Sequence, residues 1–330
     1  MYFRSMTDFV AQLIRLFAVF STLLFSCDRS DTKSASLSTE LVLPDSLSLQ
    51  QAIATISKDP VLNQDTAALT LFLSGLASEA DSIEGRAGLK NNPEGIAKAI
   101  IDVVYGSWKI IFDTCDTVPE TMFPQLVCKY KRGTCLGTSL VILLFAEKMH
   151  CPIFGVLLPG HFFCRFADGT TAFNIEPNKS GYSHPDIYYR GRYNTTNRPW
   201  YDLKNLSKRE TIGVLCYNTG IVCLNRKRSD RAVAYFAEAV RRLNGFPEAQ
   251  GNLALAYAQT GWVDSAMAIF ERLFTAHPDM PGLAANFGAT AIACRMYKKA
   301  ANIFQKGLLY FPDDSTLLSG FALANKRFRK

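Results

Sequence analysis

The chain has 330 residues, 48% of them hydrophobic and 20% charged, with 36 Lys and Arg against 29 Asp and Glu and a net charge of +7. That length accommodates two domains with ordinary cores, and the composition excludes a predominantly disordered or fibrous chain. The basic runs Arg226-Lys227-Arg228 and Lys326-Arg327-Phe328-Arg329-Lys330 accompany no recognisable nucleic-acid motif, so no nucleic-acid partner is expected.

At the N-terminus, Leu16 to Ser26 is an apolar run. Its length suits the ~7–15-residue core of a secretory signal and falls short of the ~20 residues of a spanning helix. Its end, Leu24-Phe25-Ser26-Cys27, resembles a bacterial lipobox, with Leu24 at minus three, Ser26 at minus one and Cys27 as the lipidated residue. That resemblance implies a signal peptide over 1–27 and a lipid anchor in a bilayer, with the protein at the bacterial cell envelope facing the periplasm or exterior. An uncleaved anchor, reached by extending the apolar window back to Val10, is the alternative. From Asp28 to Thr39 the chain is rich in Ser, Asp, Lys and Thr and lacks aromatics, so 28–45 reads as a flexible tether.

Helical apolar spacing begins at Leu49, through Ile53, Ile56 and Val61, and resumes over Leu69 to Leu76. A polar break at Gly85 to Gly95 precedes a helix over Ile96 to Ile111, and Asp113 to Pro124 reads as a loop. Then Gly133, Thr134 and Cys135 lead into an apolar run from Leu140 to Ala146 that continues to Met149. This predicts a buried helix with Cys135 in its first turn, where unpaired backbone N–H groups and the positive end of the helix dipole favour thiolate. Cys135 is therefore a candidate nucleophile.

Two β-rich runs follow, Ile153 to Phe166 and Thr170 to Glu176, joined by the hairpin signal Asp168-Gly169. If those two residues form the turn, Ala167 faces Thr170, and counting back sets His161 directly opposite Glu176. Directly opposed side chains share a face with Cβ atoms ~4.5–5.5 Å apart, close enough for a carboxylate to bond an imidazole. The same register puts Phe163 opposite Asn174, diagonal to His161, so Asn174 is the rival orienting residue. Cysteine, histidine and acid together suit acyl chemistry: a thiolate attacks a carbonyl carbon, an imidazole moves the proton, and an acid or amide fixes the tautomer.

The stretches KRGTCLGTSL, GVLLPGHFFCR and IEP resemble the transglutaminase-like core of SirB-type proteins, which belong to the papain-like thiol fold. That resemblance implies leading helices before the thiol helix, and it puts Cys135, His161 and Glu176 on the nucleophile, histidine and acid positions of the wider superfamily. The acid is usually aspartate there, so Glu176 is one methylene longer. The aromatic and basic segment Tyr188-Tyr189-Arg190-Gly191-Arg192-Tyr193 has two readings, a substrate-cleft lining and a solvated connecting loop; the loop is preferred and no role is assigned.

The C-terminal third is periodic. Steps of 34 residues align Gly220, Ala254 and Gly288; Ala232, Ala266 and Ala300; Phe236, Phe270 and Phe304; and Asn244, Pro278 and Pro312. This pattern resembles tetratricopeptide repeats, which implies a groove for a protein or peptide partner; the alternative is that the repeats buttress the preceding domain. Ser207 and Glu210 supply a capping box for the first repeat helix, and Leu317 to Phe328 reads as a terminal capping helix. The nine cysteines show no zinc-site spacing and no disulfide framework, and neither a metal nor a cofactor is expected.

The sequence thus points to an α+β papain- or transglutaminase-like domain over 46–205, followed by an all-α tetratricopeptide-repeat domain over 206–330 with three repeats and a capping helix. Two functions fit: a membrane-tethered, thiol-dependent amide hydrolase or acyl transferase acting on protein or peptide, and a non-catalytic adaptor lipoprotein.

Overall fold

The computed structural model describes residues 41–329 apart from 63, 65, 87, 115–117, 194 and 196–198. The signal-peptide reading, Cys27 and most of the tether lie outside the described residues. The chain forms two compact units, one of Val42–Arg226 with Arg241–Leu243, the other including Lys227–Val240 and Asn244–Lys330.

The first unit opens with helix α1 (Leu49–Ser57), which starts on a full capping box: Ser48 Oγ accepts from Gln51 N at 3.0 Å, and Gln51 Oε1 accepts from Ser48 N at 2.9 Å. Glu147 adds a second cap, its carboxylate accepting from the N–H groups of Leu49 and Gln50 at 2.9 and 3.1 Å. Helices α2 (Thr66–Glu84) and α3 (Pro93–Asp102) follow, and α3 runs into a π turn at Val103–Ser107. The single helix expected over Ile96 to Ile111 is therefore cut short. Lys109 adopts φ 53° and turns the chain into strand β1 (Ile111–Phe112). The expected loop from Asp113 to Pro124 contains a short helix, α4 (Pro119–Met122), which starts on a proline preset for the first helical position.

Helix α5 (Pro124–Tyr130) ends at Lys131 in the left-handed region, and strand β2 (Arg132–Gly133) pairs in parallel with β1. It delivers the chain to helix α6 (Cys135–Lys148), in which every residue from Leu136 to Ala146 is buried. A helix that is apolar all round has to sit in the middle of a domain. Here α2 and α5 lie against it, Trp108 meets its Phe145 at 5.1 Å with the rings tilted by 49°, and a three-stranded antiparallel sheet packs alongside.

That sheet has the order β3 (Ile153–Leu158), β4 (His161–Ala167), β5 (Ala172–Ile175). The run read as one strand from Ile153 to Phe166 is folded back on itself at Pro159-Gly160, with Gly160 at φ 66° and Leu158 paired with His161. Past β5, Asp186–Tyr193 forms helix α7 where a solvated loop was expected, with Tyr189 fully buried. Leu206 N then donates to Gly155 O at 2.8 Å. Helix α8 (Lys208–Asn225) begins on the Ser207–Glu210 capping box that the sequence predicts.

The described elements of the second unit are all helices. After α9 (Ser229–Arg242) come the pairs α10 (Pro247–Gln259) with α11 (Val263–Ala276) and α12 (Leu283–Ala293) with α13 (Tyr297–Leu308), then α14 (Ser315–Phe328). The alanine and phenylalanine positions of the 34-residue step are interior: Ala232, Ala266 and Ala300 are fully buried, as are Phe236 and Phe270, with Phe304 at 1% exposure. Gly288 is small because a Cβ there would run into the Phe304 ring. Asp314 caps α14, accepting from Thr316 N and Leu317 N at 2.8 and 3.1 Å.

Candidate functional site

Cys135 owes its place to the turn before it. Thr134 is extended (φ −72°, ψ 176°) and caps α6, its Oγ1 accepting from Gly137 N at 3.2 Å. Thr134 also donates twice to Thr121 O, from its N–H at 2.9 Å and from its hydroxyl at 3.2 Å. Gly137 permits this close approach, since a Cβ there would collide with the same Thr121 carbonyl. The result is a half-buried thiol on the first residue of a buried helix.

His161 opens β4 and is 4% exposed. Its Nε2 lies 2.9 Å from Glu176 Oε2, and the Cys135 side chain acts electrostatically on the same ring. Burial alone would lower the imidazole pKa. The interactions with Cys135 and Glu176 outweigh it and raise that pKa to about 9.

Glu176 is held by three donors: His161 Nε2, Tyr189 Oη to the same oxygen at 3.1 Å, and Asn178 N to Oε1 at 3.0 Å. Burial raises its pKa, but the His161 interaction, the Asn178 amide and the Tyr189 hydroxyl together bring it below the ordinary carboxylate value. The structure therefore brings together Cys135, His161 and Glu176, though not through the expected register. Ala167 pairs with Ala172 and Arg165 with Asn174, so Glu176 falls beside Phe163 and reaches His161 diagonally. The reason is the turn. Asp168 Oδ1 accepts from Thr170 N, Thr170 Oγ1 and Thr171 N at 2.8–2.9 Å, closing a loop of Asp168 to Thr171 in place of a two-residue turn. Each strand face survives because the shift is by two residues.

Asn174, the rival, bonds other partners. Its Oδ1 accepts from Arg165 Nε at 2.7 Å, and its Nδ2 donates to His184 O and Asp186 Oδ1, both at 2.8 Å. Asp186 also accepts from Arg165 Nη2 at 2.6 Å. Asn174 and Arg165 thereby fix the first turn of α7 to the sheet, which carries two aromatic rings to the site. Tyr193 lies parallel to the His161 ring at 4.9 Å, and Tyr189 stacks on Phe163 at 4.2 Å. Sequence reasoning missed both. The available signal was their four-residue spacing, which puts them on one face of a helix.

The other described cysteines differ in setting. Burial pushes Cys128, Cys151 and Cys164 up to about 12. Among the described residues all cysteines are free, no cluster of three His, Cys, Asp or Glu side chains is arranged to hold a metal, and no helix is long and apolar enough to cross a membrane.

Comparison with known proteins fits this architecture. A family model described as transglutaminase-like superfamily matches residues 71–206, and a tetratricopeptide-repeat model matches 247–279, the α10–α11 pair. Among solved structures, the chain is similar to the menin structure titled "Crystal structure of menin reveals the binding site for Mixed Lineage Leukemia (MLL) protein", at 10% identity and a TM-score of 0.50, over 90% of this chain and 69% of that one. At that identity the likeness concerns the fold alone. No curated protein matches the chain. Residues 71–206 form a transglutaminase-like domain, and the helical region after it carries a tetratricopeptide repeat.

Proposed function

We propose that the protein is a thiol-dependent amide hydrolase or acyl transferase acting on protein or peptide substrates, with Cys135 as nucleophile, His161 as acid and base, and Glu176 as the residue that orients His161. One observation carries this reading: a half-buried cysteine at a helix start acts on a buried histidine whose Nε2 is bonded to a carboxylate. The Cys135 thiolate attacks the amide carbon and forms a C–S bond. The resulting oxyanion is met by the Cys135 N–H, which at the first helical position has no intrahelical acceptor. Imidazolium His161 then gives its proton to the departing amine, leaving a thioester. Water or a second amine, deprotonated by His161, releases the acyl group and restores the thiol.

The experiment is the pH dependence of iodoacetamide labelling at Cys135, read by mass spectrometry. In the wild type, labelling of Cys135 is expected to be rapid below pH 7, while Cys128, Cys151 and Cys164 should label slowly. His161→Ala slows labelling of Cys135 ~100-fold at pH 6.5, the lower range for loss of a positioned acid or base. Ordinary thiol rates that the substitution leaves unchanged would sink the enzymatic reading.

The lipobox-like Leu24-Phe25-Ser26-Cys27 supports anchoring of the protein by lipid at Cys27 in the bacterial cell envelope. Palmitate incorporation in a bacterial host, abolished in Cys27→Ser, is the expected result; equal incorporation in both chains overturns the anchor.

A second reading, a non-catalytic adaptor, draws on the repeat match and on the partner-binding site named in the menin title. It requires partner capture to survive Cys135→Ala with no sign of thiol activation.

A further inference from the structure

Glu176 carries one methylene more than an aspartate, and hence one more torsion between backbone and carboxylate. A longer acid needs more to hold it in line with an imidazole. Its backbone is fixed by a bridge to Tyr182, with Glu176 N donating to Tyr182 O at 3.2 Å. Its oxygens are fixed by donors from two directions, Asn178 N on Oε1 and Tyr189 Oη on Oε2. Oε2 is also the oxygen that meets His161. Tyr189 is itself immobilised, fully buried, stacked on Phe163 at 7° between ring planes, and carried by a helix whose first turn is tied to the sheet through Asp186.

We propose that Tyr189 is a positioning residue of this site: its hydroxyl, donating to the Glu176 oxygen that His161 also meets, holds the carboxylate ionised and aimed at the imidazole. Its consequence for reaction rate rests on the thiol reading of Cys135, His161 and Glu176; its effect on the state of His161 does not.

The surroundings leave few groups to confuse a titration. Glu176 bonds His161 from β4 and Tyr189 from α7, and its charge acts on Cys164 of β4, on Arg192 and Tyr193 of α7 and on Tyr105 of the π turn. Burial pushes the hydroxyls of Tyr105, Tyr189 and Tyr193 well above the ordinary tyrosine value and Cys164 up to about 12. Arg192 stays charged, its pKa raised by its bond to Tyr193. Of these groups Glu176 exchanges its proton in the acid range and His161 does so about pH 9, with Cys135 on the far side of the ring.

The test uses Tyr189→Phe, which keeps the ring against Phe163 and removes only the hydroxyl. Titration of His161 by NMR in histidine-labelled protein, its signal assigned by its loss in His161→Ala, reports the Glu176 charge through the neighbouring ring. We expect the acid-side transition of the His161 signal to move up by about one pH unit in Tyr189→Phe, because the carboxylate loses a donor to its charged form. Iodoacetamide labelling of Cys135 at pH 5 should fall ~5-fold, the scale of one such bond. In a Glu176→Gln background, adding Tyr189→Phe should change neither. An unshifted His161 titration overturns the proposal, and so does an equal decrement in both backgrounds, which marks a structural role. Slow, pH-insensitive labelling of wild-type Cys135 defeats the thiol reading alone, and the His161 titration still decides the role of Tyr189.

Discussion

In the repeats, a residue and its counterpart 34 positions later meet the same kind of neighbour: Phe236, Phe270 and Phe304 are all buried, each preceded four residues earlier by a buried alanine. In the transglutaminase-like domain each residue of the site is set by its own local bonds. Cys135 is set by a threonine cap and a neighbouring carbonyl, His161 by the start of a strand after a two-residue turn, and Glu176 by a strand end, an amide and a tyrosine. The difference is between order made by repetition and order made by particular bonds. Repetition lets each unit depend only on its neighbours. Particular bonds make the site depend on the length of each turn that enters it.

The largest expected effect lies on the repeat side. Phe270→Ala removes a fully buried ring that stacks on Phe287 at 5.7 Å and should cost ~3–5 kcal/mol. Urea unfolding measures the total, and hydrogen exchange should localise the loss to the α10–α13 helices. A loss spread evenly over both units would break the comparison.

A second prediction sharpens it on the side of the site through pH. The pKa of His161 is raised to about 9 from an ordinary 6.5, so its contribution to stability is fully present below pH 6.5 and is lost as pH rises through 9. Glu176 is lowered from 4.5, so its contribution is present above pH 4.5 and is lost as pH falls through its depressed value. Unfolding free energy should therefore decline from pH 6.5 to 9 with a slope of up to ~1.4 kcal/mol per pH unit. Glu176→Gln removes one of the two groups that raise His161 and should flatten the slope. The same slope in wild type and variant would remove the His161–Glu176 bond from the account of stability.

The contrast also marks what was legible in the sequence. The repeats declared themselves because Ala, Phe and Pro recur at fixed steps, and the thiol helix because Gly133-Thr134-Cys135 precedes an unbroken apolar run. The trio Cys135, His161 and Glu176 was legible by residue type and strand face. Its register was not, because Asp168-Gly169 reads as a two-residue turn while the Asp168 carboxylate gathers Thr170 and Thr171 into a longer loop. Tyr189 and Tyr193 were hidden for another reason. Their segment is polar and lacks an apolar run, and its helix is held in place by Asp186 bonding to Arg165 and Asn174, contacts that no local pattern encodes. Asn174 was seen as a site residue and belongs one step further out, anchoring the helix that carries Tyr189.

The smallest effect should come from the turn that upset the register. Asp168→Ala removes the acceptor for three hydrogen bonds at an exposed loop, and the amide protons of Thr170 and Thr171 should then exchange faster. Labelling of Cys135 should change less than about twofold. The reason is that Glu176 is held at its own end of β5, by Asn178 N, Tyr189 Oη and the Tyr182 bridge, while the β4–β5 ladder from Ala167–Ala172 to Cys164–Ile175 stands between the turn and the acid. A shift of two residues leaves Glu176 on the His161 face, and only an odd shift would turn it away. A large loss of Cys135 labelling in Asp168→Ala would mean that the turn, and not the bonds around Glu176, sets the site, and would place its order on the same footing as that of the repeats, in the spacing of the chain.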